Sequence, residues 1–324
     1  MNPLDAGAEP TNPLGIDGIE FIEFATPQPQ ALGALLQMMG FAAIARHRSR
    51  EVMLYRQGPM NIVVNADTQS LPASDGAAPK VSLSAMALRV ADSAFAWKRA
   101  LGLGAWPIPT RASAMELNIP GIHGVGDSLI YFVDRYKDLS IYDVDFVRLP
   151  GADAHPPAVA GLHFFGIVQT VEDGRTPDWI DFYRTLLSFS VLPGGQYFGI
   201  LPKGTLMESP CHSFYLQLIE PPPGAEDIDW DERLLRIGLG APDIHAATQA
   251  LHERGIVFID HGAVQTTERG ALTQIYPGGV TFELVVSHLA DAAQGRSAAR
   301  SEPHEAASQH GKAAIHASPI GSGA

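Results

Sequence analysis

A single cysteine, Cys211, stands in the whole chain. That excludes an intrachain disulfide and any zinc site built on several thiolates, and leaves Cys211 a small packing residue. Basic residues are scarce as well: 22 Lys and Arg against 35 Asp and Glu, a formal net charge of −13. Neutralising nucleic-acid phosphates or anionic lipid needs the opposite balance, so neither nucleic acid nor membrane is an expected partner. No apolar run nears the ~20 residues of a membrane helix. Residues 1–13 lack the basic region and apolar core of a secretory signal. A cytoplasmic protein with a small-molecule partner is the expectation. The rest of the composition is ordinary: 324 residues, 46% hydrophobic and 18% charged, enough for about two domains with a real core.

The order of apolar runs and breakers repeats. Residues 18–25 alternate apolar side chains with glutamates, as a half-buried strand does. A break at Pro27 and Pro29 leads into a helix over 31–39 that Gly40 ends. Short strands are expected at 41–46, 51–56 and 61–65. The same unit of strand, helix and three strands restarts at residue 81, with a helix over 91–103 and strands near Trp106, at 114–117 and at 129–133. It restarts again at 161 (helix 178–187; strands 190–192, 197–201 and 212–220). The fourth copy begins at 234 (helix 243–254; strands 257–259, 272–276 and 280–286). Four copies of one short unit set the organisation of the whole chain. The expected divisions are a flexible start at 1–15, an amino-terminal domain at 16–148, a Pro-rich linker at 149–159 and a carboxyl-terminal domain at 160–289. The tail at 290–324 is rich in Ala, Ser, His and Gly and is expected to be disordered, its His304, His310 and His316 being solvated.

Several stretches carry a family likeness: Phe21-Ile22-Glu23-Phe24-Ala25, Met39-Gly40-Phe41, His47-Arg48-Ser49, Leu54-Tyr55-Arg56-Gln57-Gly58, Met115-Glu116-Leu117-Asn118 and residues 140–147. Through them the first half resembles bacterial 4-hydroxyphenylpyruvate dioxygenases, closely over residues 15–151 and more weakly to about 288. The resemblance implies an α+β fold of tandem βαβββ modules, the vicinal oxygen chelate fold, with four modules in two open barrel-like domains. It implies a metal-free first half, where Glu20, Ala85 and Tyr131 fall at the ligand positions. It also implies Fe(II) in the second half, held by two histidines and a glutamate that leave one side open for an aromatic 2-oxo acid and dioxygen. A homo-oligomer is in keeping with the same likeness.

Carried over residue by residue, His163 matches the first histidine and Glu283 the glutamate. Arg236 stands where the second histidine should be. A guanidinium has no lone pair to give, so it cannot ligate iron. His245, in the helix that follows, is the nearest other imidazole. Gln274 and Ser209 match substrate-side positions. The segment between His261 and Ala271 is short, and the polar tail replaces the family's closing helix, which would exclude water from the site. An ordinary structural account stands beside the functional one for each residue. His163 can be a satisfied buried histidine. Glu283 can pair with Arg236 in place of a cation, since buried carboxylates are rare unless paired or metal-bound. Gln274 and Ser209 can be sheet-edge or turn residues. Three readings follow. One is an Fe(II) dioxygenase of an aromatic 2-oxo acid with an unorthodox site. The second is a metal-free protein that binds a small aromatic or hydroxy acid through Arg236, because arginine forks suit carboxylates. The third is a lyase or isomerase of the same fold that uses His163, Glu283 and water.

Overall fold

The computed structural model describes residues 11–67, 80–109, 116–137, 139–193, 204–222, 230–260 and 265–287. The expected strand at 197–201, residues 1–10 of the expected loose start, and the tail from 288 onward lie outside them. The described chain follows one repeated plan. The first module is β1 (Ile19–Ala25), α1 (Pro29–Met38), β2 (Ala42–His47), β3 (Val52–Gln57) and β4 (Met60–Asn65). The second is β5 (Ser82–Arg89), α2 (Ser93–Gly102), β6 (Gly121–His123) and β7 (Leu129–Val133), followed by α3 (Ile141–Asp145) and β8 (Phe146–Arg148). The third is β9 (His163–Thr170), α4 (Thr176–Leu187), β10 (Ser190–Val191), β11 (Thr205–Glu208) and β12 (Tyr215–Ile219). The fourth is β13 (Arg233–Ala241), α5 (Ile244–His252), β14 (Gly270–Leu272) and β15 (Phe282–Val286).

Pairing is the same in both halves. In the first, β1 runs parallel to β4 and antiparallel to β5, β5 runs parallel to β7, and β6 closes antiparallel on β7. In the second, β9 runs parallel to β12 and antiparallel to β13, β13 runs parallel to β15, and β14 closes antiparallel on β15. This is an α+β fold of open sheet with few helices, as expected. The expected strands near Trp106 and at 257–259 shrink to the single bridges Pro107↔Ile122 and Phe258↔Thr273. The ladder partner of β7 is β6, and the expected strand at 114–117 lies partly outside the described residues.

Local chemistry explains the helix ends. Pro29 opens α1, where a missing N–H costs nothing, and Gly40 leaves it at φ +94°. The second module of each half starts its helix on an aspartate: Asp92 Oδ1 accepts from Phe95 N at 2.8 Å, and Asp243 Oδ1 from Ala246 N at 3.0 Å. α1, α2, α4 and α5 pack on one side of the sheet. Their buried residues (Leu36, Ala100, Leu187 and Leu251 among them) join Ile22, Leu88, Ile167, Leu239 and Leu284 in one core that runs through both halves. The opposite, inner face of the first half has its own cluster around Phe21, Leu54, Val63, Ala87 and Tyr142.

The halves also meet edge to edge. Leu234 of β13 pairs with Leu83 of β5. Beside that contact, Gly126 turns at φ +56°, and a Cβ there would stand 1.7 Å from the Glu232 carbonyl oxygen. Gly174 has φ +73° but open space around it. Gly174→Ala should therefore cost only the left-handed backbone penalty, roughly 1–2 kcal/mol. Gly126→Ala should cost clearly more, since backbone must move as well. Urea midpoints of the two variants measure the difference, and equal midpoints would refute the close approach.

Candidate functional site

β13 carries an arginine in a strand otherwise apolar, and the pleat decides where it points. Ile237, Leu239 and Ala241 enter the helix-side core, so Arg236, Gly238 and Gly240 turn to the inner face. Gly238 pairs with Gly166 on β9 and with Glu283 on β15, while Arg236 pairs with Val168. Phe282 and Leu284 lie in the core, so Glu283 projects inward between them. Gly166, Arg236 and Glu283 are therefore the inner-face residues that converge around Gly238.

Arg236 Nε stands 3.2 Å from Glu283 Oε2, and both side chains are buried. The Nε–H misses hydrogen-bond geometry to that oxygen, so the contact is an ion pair without a well-aligned bond. No hydrogen bond from the Arg236 Nη groups to another described residue is present. Burial pulls the guanidinium below the ordinary arginine range, and the Glu283 charge pushes it back up. It stays a cation, with donors facing an inner surface.

His163 lies further along β9. His163 opens β9 opposite Gly240, beyond a bulge between the Gly238 and Leu239 pairings. Its ring lies over Gly240, where a Cβ would come within 2.3 Å of Nε2. Nε2 is 3.1 Å from Ser287 Oγ, and Nδ1 is 3.1 Å from the Gly161 carbonyl. Two residues and two strand spacings separate the His163 and Glu283 backbones, about 12 Å. β9 offers Gly166 at the register of Gly238, and His163 lies further along the same strand.

The other expected residues scatter. His245 is exposed on α5, on the helix side. Gln274 is exposed, and its backbone N–H donates to Val257 O at 2.9 Å. Ser209 is buried, but its hydroxyl accepts from Phe214 N at 3.3 Å and contacts Cys211 Sγ at 3.3 Å, which holds the turn from β11 to β12. In the first half, Glu20 is ion-paired to Arg89 at 2.6 Å. Ala87 there pairs with Phe21 and Tyr131 as Gly238 pairs with Gly166 and Glu283. The strand registers thus make Phe21, Ala85 and Tyr131 the counterparts of Gly166, Arg236 and Glu283.

The resemblance-implied Fe(II) does not fit these residues. Two imidazoles and a carboxylate are needed around one point. Of the three carried-over positions, Arg236 is a cation, Glu283 is the carboxylate beside it, and His163 is the one imidazole. Among the described residues, no three His, Cys, Asp or Glu side chains gather into a group that could hold a metal. Gly166 escaped notice in the sequence, although a glycine inside a strand often marks a close backbone approach. A Cβ there would meet the Tyr215 carbonyl oxygen at 2.4 Å.

Comparisons with known proteins agree with the fold. Residues 10–147 match the family described as "Hydroxyphenylpyruvate dioxygenase, HPPD, N-terminal". The chain is 42% identical over 198 residues to the 4-hydroxyphenylpyruvate dioxygenase of Pseudomonas sp. (strain P.J. 874), across 59% of this chain and 55% of that protein. It is 34% identical over 276 residues to the 4-hydroxyphenylpyruvate dioxygenase of Pseudomonas aeruginosa, across 80% of this chain and 75% of that one. The chain belongs to the 4-hydroxyphenylpyruvate dioxygenase family. A solved xylose isomerase-like TIM barrel/4-hydroxyphenylpyruvate dioxygenase fusion protein shares the fold at TM-score 0.66 and 24% identity, over 94% of this chain and 55% of that one. No helix among the described residues is long and apolar enough to cross a membrane.

The pair itself is testable. Removing one member of a buried ion pair typically costs about 3–5 kcal/mol, whereas replacing both with apolar groups of similar volume is far cheaper. Glu283→Leu alone should destabilise by that amount, and Glu283→Leu with Arg236→Met should recover most of it. Equilibrium urea unfolding of the four proteins in the cycle gives the coupling, and additive effects would rule out a direct pair.

Proposed function

We propose that this member of the dioxygenase family binds a small aromatic 2-oxo acid at Arg236 and does not oxidise it. One observation carries the reading: a buried guanidinium on the inner face, beside Glu283, whose Nε is buried with no hydrogen-bond partner among the described residues. Unmet donors on a buried cation are costly. A carboxylate or 2-oxo carboxylate supplies both charge and two acceptors in the planar geometry that the guanidinium fork suits. The family supplies the substrate class, since relatives bear the name 4-hydroxyphenylpyruvate dioxygenase. Oxidation needs a metal that these residues do not fit. The lyase or isomerase reading needs a metal on His163 and Glu283, and Glu283 has the Arg236 guanidinium beside it instead.

Calorimetric titration with 4-hydroxyphenylpyruvate tests the reading. A hydrogen-bonded charge contact is worth ~1.5–3 kcal/mol, so Arg236→Met should weaken binding roughly 10- to 150-fold. Absence of binding to the unmodified protein, or equal affinity in the variant, would sink the proposal. A second arm uses anaerobic Fe(II) loading and metal analysis of the unmodified protein and of Arg236→His. The unmodified protein should take up no stoichiometric iron, because Arg236 stands at the second-histidine position; Arg236→His supplies that imidazole beside His163 and Glu283 and is the variant that should load. Stoichiometric iron in the unmodified protein, together with oxygen uptake on 4-hydroxyphenylpyruvate, would restore the dioxygenase reading.

A further inference from the structure

Two of the stretches that carry the family likeness, His47-Arg48-Ser49 and Glu116-Leu117-Asn118, come together on the first half of the fold. Pro120 O accepts from Phe132 N of β7 at 2.9 Å. Four residues earlier, Glu116 reaches the turn between β2 and β3. Its Oε1 accepts from Ser49 Oγ and from Arg50 Nε at 3.2 Å, and its Oε2 from Arg50 Nη2 at 2.5 Å. Between these ends, Leu117 N donates to both oxygens of the Asp145 carboxylate, at 3.2 and 3.3 Å. Residues 116–120 therefore cross from the β7 side of the open sheet to the β2 side. Leu117 and Ile119 pack on the inner-face cluster of Phe21, Leu54, Val63 and Tyr142. The segment is a strap over the inner face, and Glu116 is its latch.

The fold does not demand this strap. In the second half the matching residues before β14 turn back on themselves: Thr267 N donates to Gly270 O at 2.9 Å, and Gly270 N to Thr267 O at 3.2 Å. The latch, in turn, is the two-pronged pairing through which a guanidinium binds the carboxylate of any small acid. Arg50 and Glu116 line a cleft of 1840 Å³, and the Arg50 side chain keeps 29% of its surface exposed, so a solute can reach it. Its hydrogen bonds to Glu116 lift Arg50 above the ordinary arginine range, against partial burial. Aromatic rings stand in the same walls. Phe21 and Tyr131 lie with centroids 6.1 Å apart, and the His47 ring meets Phe146 edge-on at 5.2 Å. Glu23 and Asp145 line the cleft as well, and they repel a second negative charge on a ligand.

We propose that the first half holds a second binding site, for a small aromatic monocarboxylate, and that Glu116 occupies it in cis. The ligand carboxylate takes the Arg50 fork in place of Glu116, the ring lies among Phe21, Tyr131 and Phe146, and the strap is released as Glu116 leaves. The site is independent of Arg236.

Calorimetry with phenylacetate tests the proposal on the full chain, comparing the unmodified protein, Glu116→Gln, and Glu116→Gln combined with Arg50→Met. A tethered carboxylate competes at high effective concentration, so removing its charge should tighten phenylacetate binding about tenfold. Arg50→Met in that background should abolish the gain. Phenylacetate held at Arg236 is common to all three proteins and drops out of the comparison. Equal affinity in the unmodified protein and Glu116→Gln, or a gain that survives Arg50→Met, would overturn the proposal. A purely structural ion pair gives the first of those results, with a lowered urea midpoint for Glu116→Gln and nothing more. Hydrogen exchange on the unmodified protein decides the matter without a variant. The Leu117 amide is bonded to Asp145 while the strap is latched. Millimolar phenylacetate should speed its exchange, and phenylacetamide, which lacks the charge, should not. Leu117 exchange that ignores phenylacetate, or responds equally to the amide, would overturn the proposal as well.

Discussion

Everything on the inner face of the second half depends on the register of β13. That strand is held antiparallel by β9 on one side and parallel by β15 on the other. Its pleat sends Ile237 and Leu239 into the helix-side core and Arg236 the other way. A slip of one residue would exchange the two sets, burying a guanidinium under α5 and exposing isoleucine and leucine. The apolar core therefore fixes the polar site: hydrophobic burial of alternate residues leaves Arg236 no orientation other than toward Glu283. The same strand touches β5 at Leu234, so its register also sets where the two halves of the sheet join.

Much of this was legible in the residues. The four modules were visible because each opens with a dense apolar strand and closes its helix with a glycine or a polar cap. Arg236 and Glu283 stood out because single charges in buried strands need partners, and they are each other's. Two kinds of information were not legible. Short strands such as β6, three residues next to Pro120, carry too little pattern to separate from a loop. The bulge in β9 is a pairing irregularity with no local signature. The resemblance put His163 in the site; in the structure its ring meets Ser287 and the Gly161 carbonyl.

The two inner faces, built on one pairing scheme, have opposite electrostatics. In the first half a carboxylate is held by neutral donors, and the nearby guanidinium is taken by Glu116. In the second half a guanidinium is held by one carboxylate through a single nitrogen. Neither arrangement adds stability in the way an apolar filling would. Duplication supplied the scaffold twice, and substitution at a few inward positions gave each copy its own sign of charge. The shared helix-side core leaves those inward positions free to change without disturbing how the halves pack.

Gly166 bears on the history that remains open to this chain. The tight approach of the Tyr215 carbonyl means that any side chain there requires β9 and β12 to move apart. Change on this inner face must therefore go through other positions: Arg236 can be exchanged at the cost of its ion pair with Glu283, but position 166 is held to glycine by the backbone of β12.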